Sequence, residues 1–568
     1  MVGVAAAATL PFLWKPLHID DPADLQYVQQ ILRDPSDPYG FEFDWGEGPR
    51  PAIYNYHPPL KFYYHALVLW LANAGTDVYR YPHIEFVLHA SYVPFVLVIV
   101  FSLARLAEHF RAPPIVTAAF WCLGPGFLPG QNAMLDVPTL ALGLGGTACL
   151  VRLFERGGRG WTALTAGCLL AAAVLTKYAA VVFALAWAVW MGMRRVRFPV
   201  WLQVFLPPAL AILVWSGWSW YAYGFLHPLV VINGVPGQVG ARRPDLTTAI
   251  DSIVFLGGAV PGMLLYCLLG SSRGLAMALL GLVSALVLYV VRDPKLYVVE
   301  GRVELPPEGL VWWIWLAASG AICLFVAAGS VAVGVRNSDR RGQQRAMLGI
   351  WAVLALLLGA ASAPFVAMRR VLDSAAAASL LVFSEDRSTQ GAVPRRRKVA
   401  LALALIVNIS VGYAVALSDY VFARIYPEFA AFIASQQPHF QHKAWCYGYW
   451  GWMYYAQRYG LKRYIPGREE PQTGDMFVWP DTVAKPAVVP EELMARLRKI
   501  FQEYHDSLVP ARLMSKQAGA GYYSNAWGPL PYTWARLPLE VLNAAVVGPP
   551  PEQQPTEPHA STVSPPEQ

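Results

Sequence analysis

Trp14-Lys15-Pro16-Leu17-His18-Ile19-Asp20-Asp21-Pro22 places two adjacent carboxylates after an apolar N-terminal run, and Asn55-Tyr56-His57-Pro58-Pro59-Leu60 places a histidine and two prolines just before another. The residues between them are polar, aromatic and rich in Gly and Pro. The chain around these stretches is 56% hydrophobic and only 14% charged, whereas a soluble domain is about 25% charged. Apolar runs recur as far as residue 417, separated by loops that carry the arginines. A segment in lipid must satisfy its own backbone groups, so the pattern predicts an all-α polytopic membrane protein. The alternating segments of a membrane β-barrel are absent from the sequence. In a membrane protein the two quoted stretches bring an acid, a candidate base or ligand and an aromatic loop to one bilayer face. There, reacting groups stay wet while a lipid tail stays in hydrocarbon.

The formal net charge of +7 resides in short-loop arginines and reports topology rather than nucleic-acid binding. The six cysteines are dispersed, with no CxxC or metal-ligand spacing, and imply no disulfide framework. Residues 2–13 are short for a span and read as the end of a first helix, with a cleaved signal peptide lacking a basic start as the rival reading. Residues 24–33 suit a short surface helix. Residues 60–75, with Lys61 and His65 inside an apolar aromatic run, suit an interfacial helix. Candidate spans follow at 84–104, 114–129, 137–153, 162–176, 178–193, 198–222, 252–270, 274–291, 310–334, 346–363, 371–384 and 399–417, about thirteen with the first segment. Threaded this way, loops rich in Arg fall on one side and the Asp20 loop on the other, provided that 60–75 does not cross. The expected organisation is a transmembrane domain over 1–417, with an outer-face loop region over 15–83. An outer-face soluble domain of mixed α/β type follows over 418–545, then a disordered Pro-rich tail over 546–568.

The outer face then collects Asp20 and Asp21, Asp136 before Pro138, Lys177 between two apolar runs, Arg242 and Arg243 in a longer loop, and Arg369 and Arg370 where two spans meet. A charge in the membrane is expensive, so Lys177 either snorkels to the interface or faces a buried anion. One carboxylate base with several cations for a phosphate is the pattern for transfer from a phosphate-linked donor. Asp20 and Asp21 cannot both face one point, so one is the candidate base and the other a helper or N-cap; both could instead merely cap the next helix. His57 is a candidate ligand or hydrogen-bond donor beside Tyr56, and Asp136 a second candidate acid or a helix cap.

Ile19-Asp20-Asp21, Tyr56-His57-Pro58-Pro59-Leu60, Met134-Leu135-Asp136-Val137-Pro138 and Leu175-Thr176-Lys177 occur in that order. Together they resemble the dolichyl-phosphate-mannose protein mannosyltransferase superfamily, and more closely its bacterial family 39 relatives and the lipid A aminoarabinose transferases, all of the GT-C fold. The resemblance implies that Asp20 is the catalytic base, that 57–75 is the element preceding an in-plane helix, and that Lys177 faces the donor phosphate. Tyr178 stands where the family has Gly, and Arg369-Arg370-Val371-Leu372-Asp373 only loosely echoes the family's late arginine element.

The same resemblance implies an inner-membrane glycosyltransferase with its active site on the extracytoplasmic side. It would take a sugar from a polyprenyl-phosphate donor and pass it to a lipid, glycan or protein acceptor. Asp20, Asp21 and Asp136 are the candidate catalytic acids. Lys177, Arg242, Arg243, Arg369 and Arg370 are candidates for the donor phosphate, and Tyr56 and His57 for the acceptor or a ligand. No cofactor is required by the pattern, although a divalent metal is compatible with it. A transporter, an outer-face sensor or scaffold, and an oligosaccharide ligase or polymerase are the competing classes.

Overall fold

The computed structural model describes residues 1–45, 49–55, 57–156, 160–229, 245–292, 305–336, 340–361, 365–384, 394–436, 442–485 and 489–550. Among the described residues, seven helices are long and apolar enough to cross a membrane, and a pair bent by 72°, Leu246–Ala259 with Gly262–Gly270, makes an eighth candidate. Four shorter apolar helical stretches accompany them: Val2–Phe12, Gly160–Thr176, Tyr178–Met193 and Leu372–Ser384. The chain is therefore a multi-pass membrane protein. Its outward faces fit that environment: Leu206, Leu210, Leu213 and Val214 on helix Phe198–Tyr223, and Val283, Leu286 and Val287 on helix Ser272–Val291, are exposed hydrophobic side chains.

The expected span at 114–129 is helical only over Pro114–Cys122. Gly124, Pro125, Gly126, Pro129 and Gly130 follow, and this density of Gly and Pro replaces the second half of a helix with turns. The stretch expected to end at 417 runs on as one helix, Arg395–Gln436, so the passage from bundle to C-terminal region is continuous helix. Close packing inside the bundle depends on small residues. A Cβ on Gly257 would lie 1.8 Å from the Leu316 carbonyl oxygen, and one on Gly320 would lie 1.9 Å from that of Ile253. Helices Leu246–Ala259 and Leu310–Arg336 thus touch backbone to backbone, as small residues permit in membranes.

The C-terminal region builds a five-stranded mixed sheet, with strands in the order Lys462–Arg463, Ala444–Cys446, Met476–Pro480, Glu540–Val547 and Leu497–His505. Ala444–Cys446 runs parallel to both its neighbours, and the remaining pairs are antiparallel. The last strand in the chain, Glu540–Val547, passes the boundary expected at 545; most of the expected tail, from 551 on, lies outside the described residues. Helix Trp450–Arg458 packs on this sheet and on helix Arg395–Gln436.

Residues 511–535 fold back onto the bundle. Met368 N–H donates to the Tyr522 carbonyl at 2.9 Å and Asn525 N–H to that of Val366 at 2.8 Å. The hydroxyls of Tyr522 and Tyr532 donate to the carbonyls of Gly126 and Gly258, each at 2.7 Å. One buried carboxylate secures the sheet to the long helix. Glu540 accepts from the backbone N–H groups of Thr482 at 2.9 Å, Val483 at 3.1 Å and Ala484 at 3.0 Å, and from the Tyr426 hydroxyl at 2.9 Å. Its charge is satisfied by oriented donors rather than by a cation. Glu540→Gln should destabilise the protein by about 1–3 kcal/mol, because a neutral amide leaves a buried N–H without its acceptor; a thermal-unfolding midpoint in detergent measures this.

Candidate active site

The turn before helix Asp21–Arg33 separates the two adjacent acids. Asp21 N–H donates to the His18 carbonyl and His18 N–H donates to Asp21 Oδ2, both at 3.1 Å. Asp21 is thereby folded back and buried. Ile19 takes φ +50°, a left-handed value that a β-branched residue rarely adopts. Asp20 points the other way: its Oδ2 accepts from Arg369 Nη1 at 3.0 Å. Asp20 occupies the N-cap position of the helix, but its side chain makes no capping hydrogen bond. Capping therefore does not account for it.

A second carboxylate–cation pair lies alongside. Asp136 opens helix Asp136–Arg156. Lys177 fills the one-residue break between helix Gly160–Thr176 and the short turn Tyr178–Ala180, and its Nζ donates to Asp136 Oδ1 at 2.5 Å. Lys177 thus faces an anion. Asp136 and Arg369 line one small cavity with Met134, Tyr522 and Tyr523. Four residues from four separate stretches, Asp20, Asp136, Lys177 and Arg369, are gathered in this way at one end of the bundle. Arg370, next in the same turn, lies over the Phe365 ring with its guanidinium 4.9 Å from the centroid.

His57 belongs to the same cluster electrostatically. Burial, and then the positive charges of Lys177 and Arg369, push its imidazole down to about 3, so the ring is neutral at physiological pH. Its loop is held by aromatic side chains. The Tyr39 hydroxyl donates to the His57 carbonyl at 2.6 Å, and His227 Nε2 lies 2.8 Å from the Asn55 carbonyl. Tyr178, the residue after Lys177, takes part in this support. Its hydroxyl accepts from Trp215 Nε1 and meets His227 Nδ1, both at 2.8 Å. Tyr56, Arg242 and Arg243 lie outside the described residues.

The sequence assigns no role to the other members of the site, Asp21 apart. Lys61, one residue after the quoted His-Pro-Pro-Leu, pairs with Asp24 in the interior. Burial raises the carboxyls of Asp21 to about 7 and of Asp24 to about 6, with Lys61 opposing the shift in both. Tyr522 and Tyr523 reach the cavity from the C-terminal region, and Lys15 meets Asp419 of the long helix at 2.5 Å. Beside the cluster an apolar groove of about 610 Å³ opens between Pro59, Leu60 and Tyr63 on one side and Leu210, Val214 and Trp218 on the other. Leu175, two residues before Lys177, lies in its wall. Among the described residues no three His, Cys, Asp or Glu side chains are grouped to hold a metal ion.

No protein-family model and no curated protein matches the chain. Among solved structures it is similar to the Archaeoglobus fulgidus oligosaccharyltransferase tethered with an acceptor peptide, at 12% identity and a TM-score of 0.43, over 81% of this chain and 63% of that one. The chain thus spans less than two thirds of that protein. It is also similar to ArnT from Cupriavidus metallidurans in the apo state, at 16% identity and a TM-score of 0.39, over 96% of both chains. The same protein bound to undecaprenyl phosphate gives 14% identity and a TM-score of 0.37, over 96% of this chain and 97% of that one.

The raised carboxyl of Asp21 has a consequence for stability. Between its ordinary value of 3.8 and about 7 the folded state keeps a proton that the unfolded chain has lost, so this group's contribution falls as pH rises through that window. Asp21→Asn keeps an acceptor for His18 N–H and removes the titration. Thermal midpoints in detergent should show the variant more stable than wild type at about pH 8 and close to it at about pH 4.

Proposed function

We propose that this protein is a GT-C-type membrane glycosyltransferase that moves a sugar from a polyprenyl-phosphate donor to an acceptor at the outer face of the membrane. The observation that carries the reading is the meeting of two ion pairs, Asp20–Arg369 and Asp136–Lys177, whose members Arg369 and Asp136 line one cavity. The motifs that carry Asp20, His57, Asp136 and Lys177 also follow one another along the chain in the order of the resembled family. The groove suits an isoprenoid tail, because it is apolar and open and its wall includes Leu175, two residues before Lys177.

In this reading the donor phosphate meets Lys177 and Arg369, with Arg370 close by and Arg242 and Arg243 as further candidates. Both cations are paired with carboxylates in the structure. An arriving phosphate competes for Arg369, and Asp20 is released to act as general base. It takes the proton from the acceptor hydroxyl or amine. The acceptor's lone pair forms the new bond to the anomeric carbon as the bond from that carbon to the phosphate oxygen breaks. The polyprenyl phosphate leaves with that electron pair, its charge stabilised by Lys177 and Arg369. A single displacement inverts the anomeric carbon. Asp21, folded away into its own turn, is a support for Asp20. Neutral His57 serves as a hydrogen-bonding group, and with Tyr56 and the 34–56 loop it faces the acceptor. Residues 418–545 form the acceptor-holding outer domain, and the bundle crosses thirteen times, with 114–129 crossing as a short helix continued by turns.

Sugar transfer by membranes holding the full chain tests the reading, with radiolabelled polyprenyl-phosphate sugars as donors. Wild type should release label from the carrier, and Asp20→Asn should lower the rate by about 10²–10⁴-fold without loss of folded protein. Transfer that survives in Asp20→Asn would move the base to Asp21 or Asp136, and no transfer from any donor would favour a transporter. For topology, Leu508 is fully exposed. In a background with Cys168→Ser, Leu508→Cys should react with an impermeant maleimide added outside intact cells. Labelling only after permeabilisation would put the site on the wrong face.

A further inference from the structure

Asp419 is the one Asp, Glu, Lys or Arg between Lys398 and Arg424, in the apolar body of helix Arg395–Gln436. It is fully buried, and so is Lys15. Asp419 Oδ2 accepts from Lys15 Nζ at 2.5 Å and from the Tyr523 hydroxyl at 2.8 Å, while its Oδ1 lies 3.4 Å from His18 Nε2. Lys15 spends its two other donors on Asn132 Oδ1 at 2.6 Å and the Pro129 carbonyl at 3.1 Å. Asn132 Nδ2 donates in turn to the Tyr523 hydroxyl at 3.0 Å. Four segments are tied at one point, and two of them carry the site's carboxylates: Lys15 precedes Asp20, and Asn132 precedes Asp136.

The chain from Lys15 to Asp20 has no slack. Leu17 N–H donates to the Tyr455 hydroxyl at 2.8 Å, the His18–Asp21 turn is closed, and Ile19 holds its left-handed φ. Such a conformation persists only where the surroundings over-determine it. A buried ion pair is weak evidence for stability, since apolar residues of similar size often do as well. Its presence in the otherwise uncharged stretch 399–423 therefore points to geometry. We propose that Asp419 and Lys15 are positioning residues: their ion pair, with Asn132 and Tyr523, fixes the loops bearing Asp20 and Asp136, while neither Asp419 nor Lys15 lines the cavity. The proposal rests on the glycosyltransferase reading for its kinetic consequence but not for its structural one.

The full-length double variant Lys15→Met/Asp419→Leu removes both charges together, and Tyr523→Phe removes one hydrogen bond from the intact pair. Hydrogen exchange of the folded protein is followed at residues 16–21 and 129–136, alongside kcat and donor KM for sugar transfer. In the double variant these two loops should exchange about tenfold faster or more while the rest of the chain is unchanged. The value of kcat should fall about 10²-fold, with donor KM within about threefold of wild type. Tyr523→Phe should shift both readouts in the same direction and by less. Unchanged exchange in both loops would overturn the proposal, as would a double variant that unfolds globally while Tyr523→Phe is silent. If wild type transfers no sugar, the functional reading fails, and the exchange result alone still decides whether the clasp fixes the two loops.

Discussion

A buried charge in an apolar chain must find a partner, and the pairs Asp20–Arg369 and Asp136–Lys177 are where this requirement shapes the protein. Neither pair is local. Asp20 and Arg369 come from opposite ends of the bundle's sequence and meet only once the helices between them have packed. The backbone contact between Gly257 and Gly320, the break at Lys177 and the short turn Met368–Arg370 all serve to bring helix ends to that one place. The cost of stranding a charge in lipid thus acts as a check on the fold, since a misregistered helix would leave an ion unpaired.

The C-terminal region is part of this arrangement and not an appendage. Tyr522 and Tyr523 line the same cavity as Asp136 and Arg369, and the backbone of 522–525 bonds directly to 366–368. The site is closed from above by a segment that follows Asp20 by some 500 residues in the chain. This contact also fixes which end of the bundle carries the C-terminal sheet, whatever the number of crossings.

The features legible in the sequence are those with local contrast. Asp20, His57, Asp136 and Lys177 stand out as polar residues beside apolar runs, and the break at Lys177 is visible because two runs abut there with no loop. The inequivalence of Asp20 and Asp21 is expected in kind, but its direction depends on the hydrogen bonds of the His18–Asp21 turn, which no spacing reveals. The helix expected over 114–129 stops at Cys122, because hydropathy alone gives no weight to the Gly and Pro residues that end it there. Asp419 does leave a signal, a single charge inside an apolar run, but its partner Lys15 lies 404 residues away. Tyr523 leaves none, being one of many aromatics in its region.

Helix Arg395–Gln436 has 42 residues and is therefore about 63 Å long, roughly twice the hydrocarbon thickness of a bilayer. It begins at the end of the bundle away from the site, where Arg396 bonds the Leu269 carbonyl, passes the site at Asp419, and finishes under the C-terminal sheet. One continuous helix thus carries both the clasp and the sheet, with Pro427 lying between them. It spaces the sheet from the level of Asp419 by the length of its last turns, from Asp419 to Gln436. A rocking of the C-terminal sheet would therefore be passed toward Asp419 along this one helix, through the turn that Pro427 interrupts.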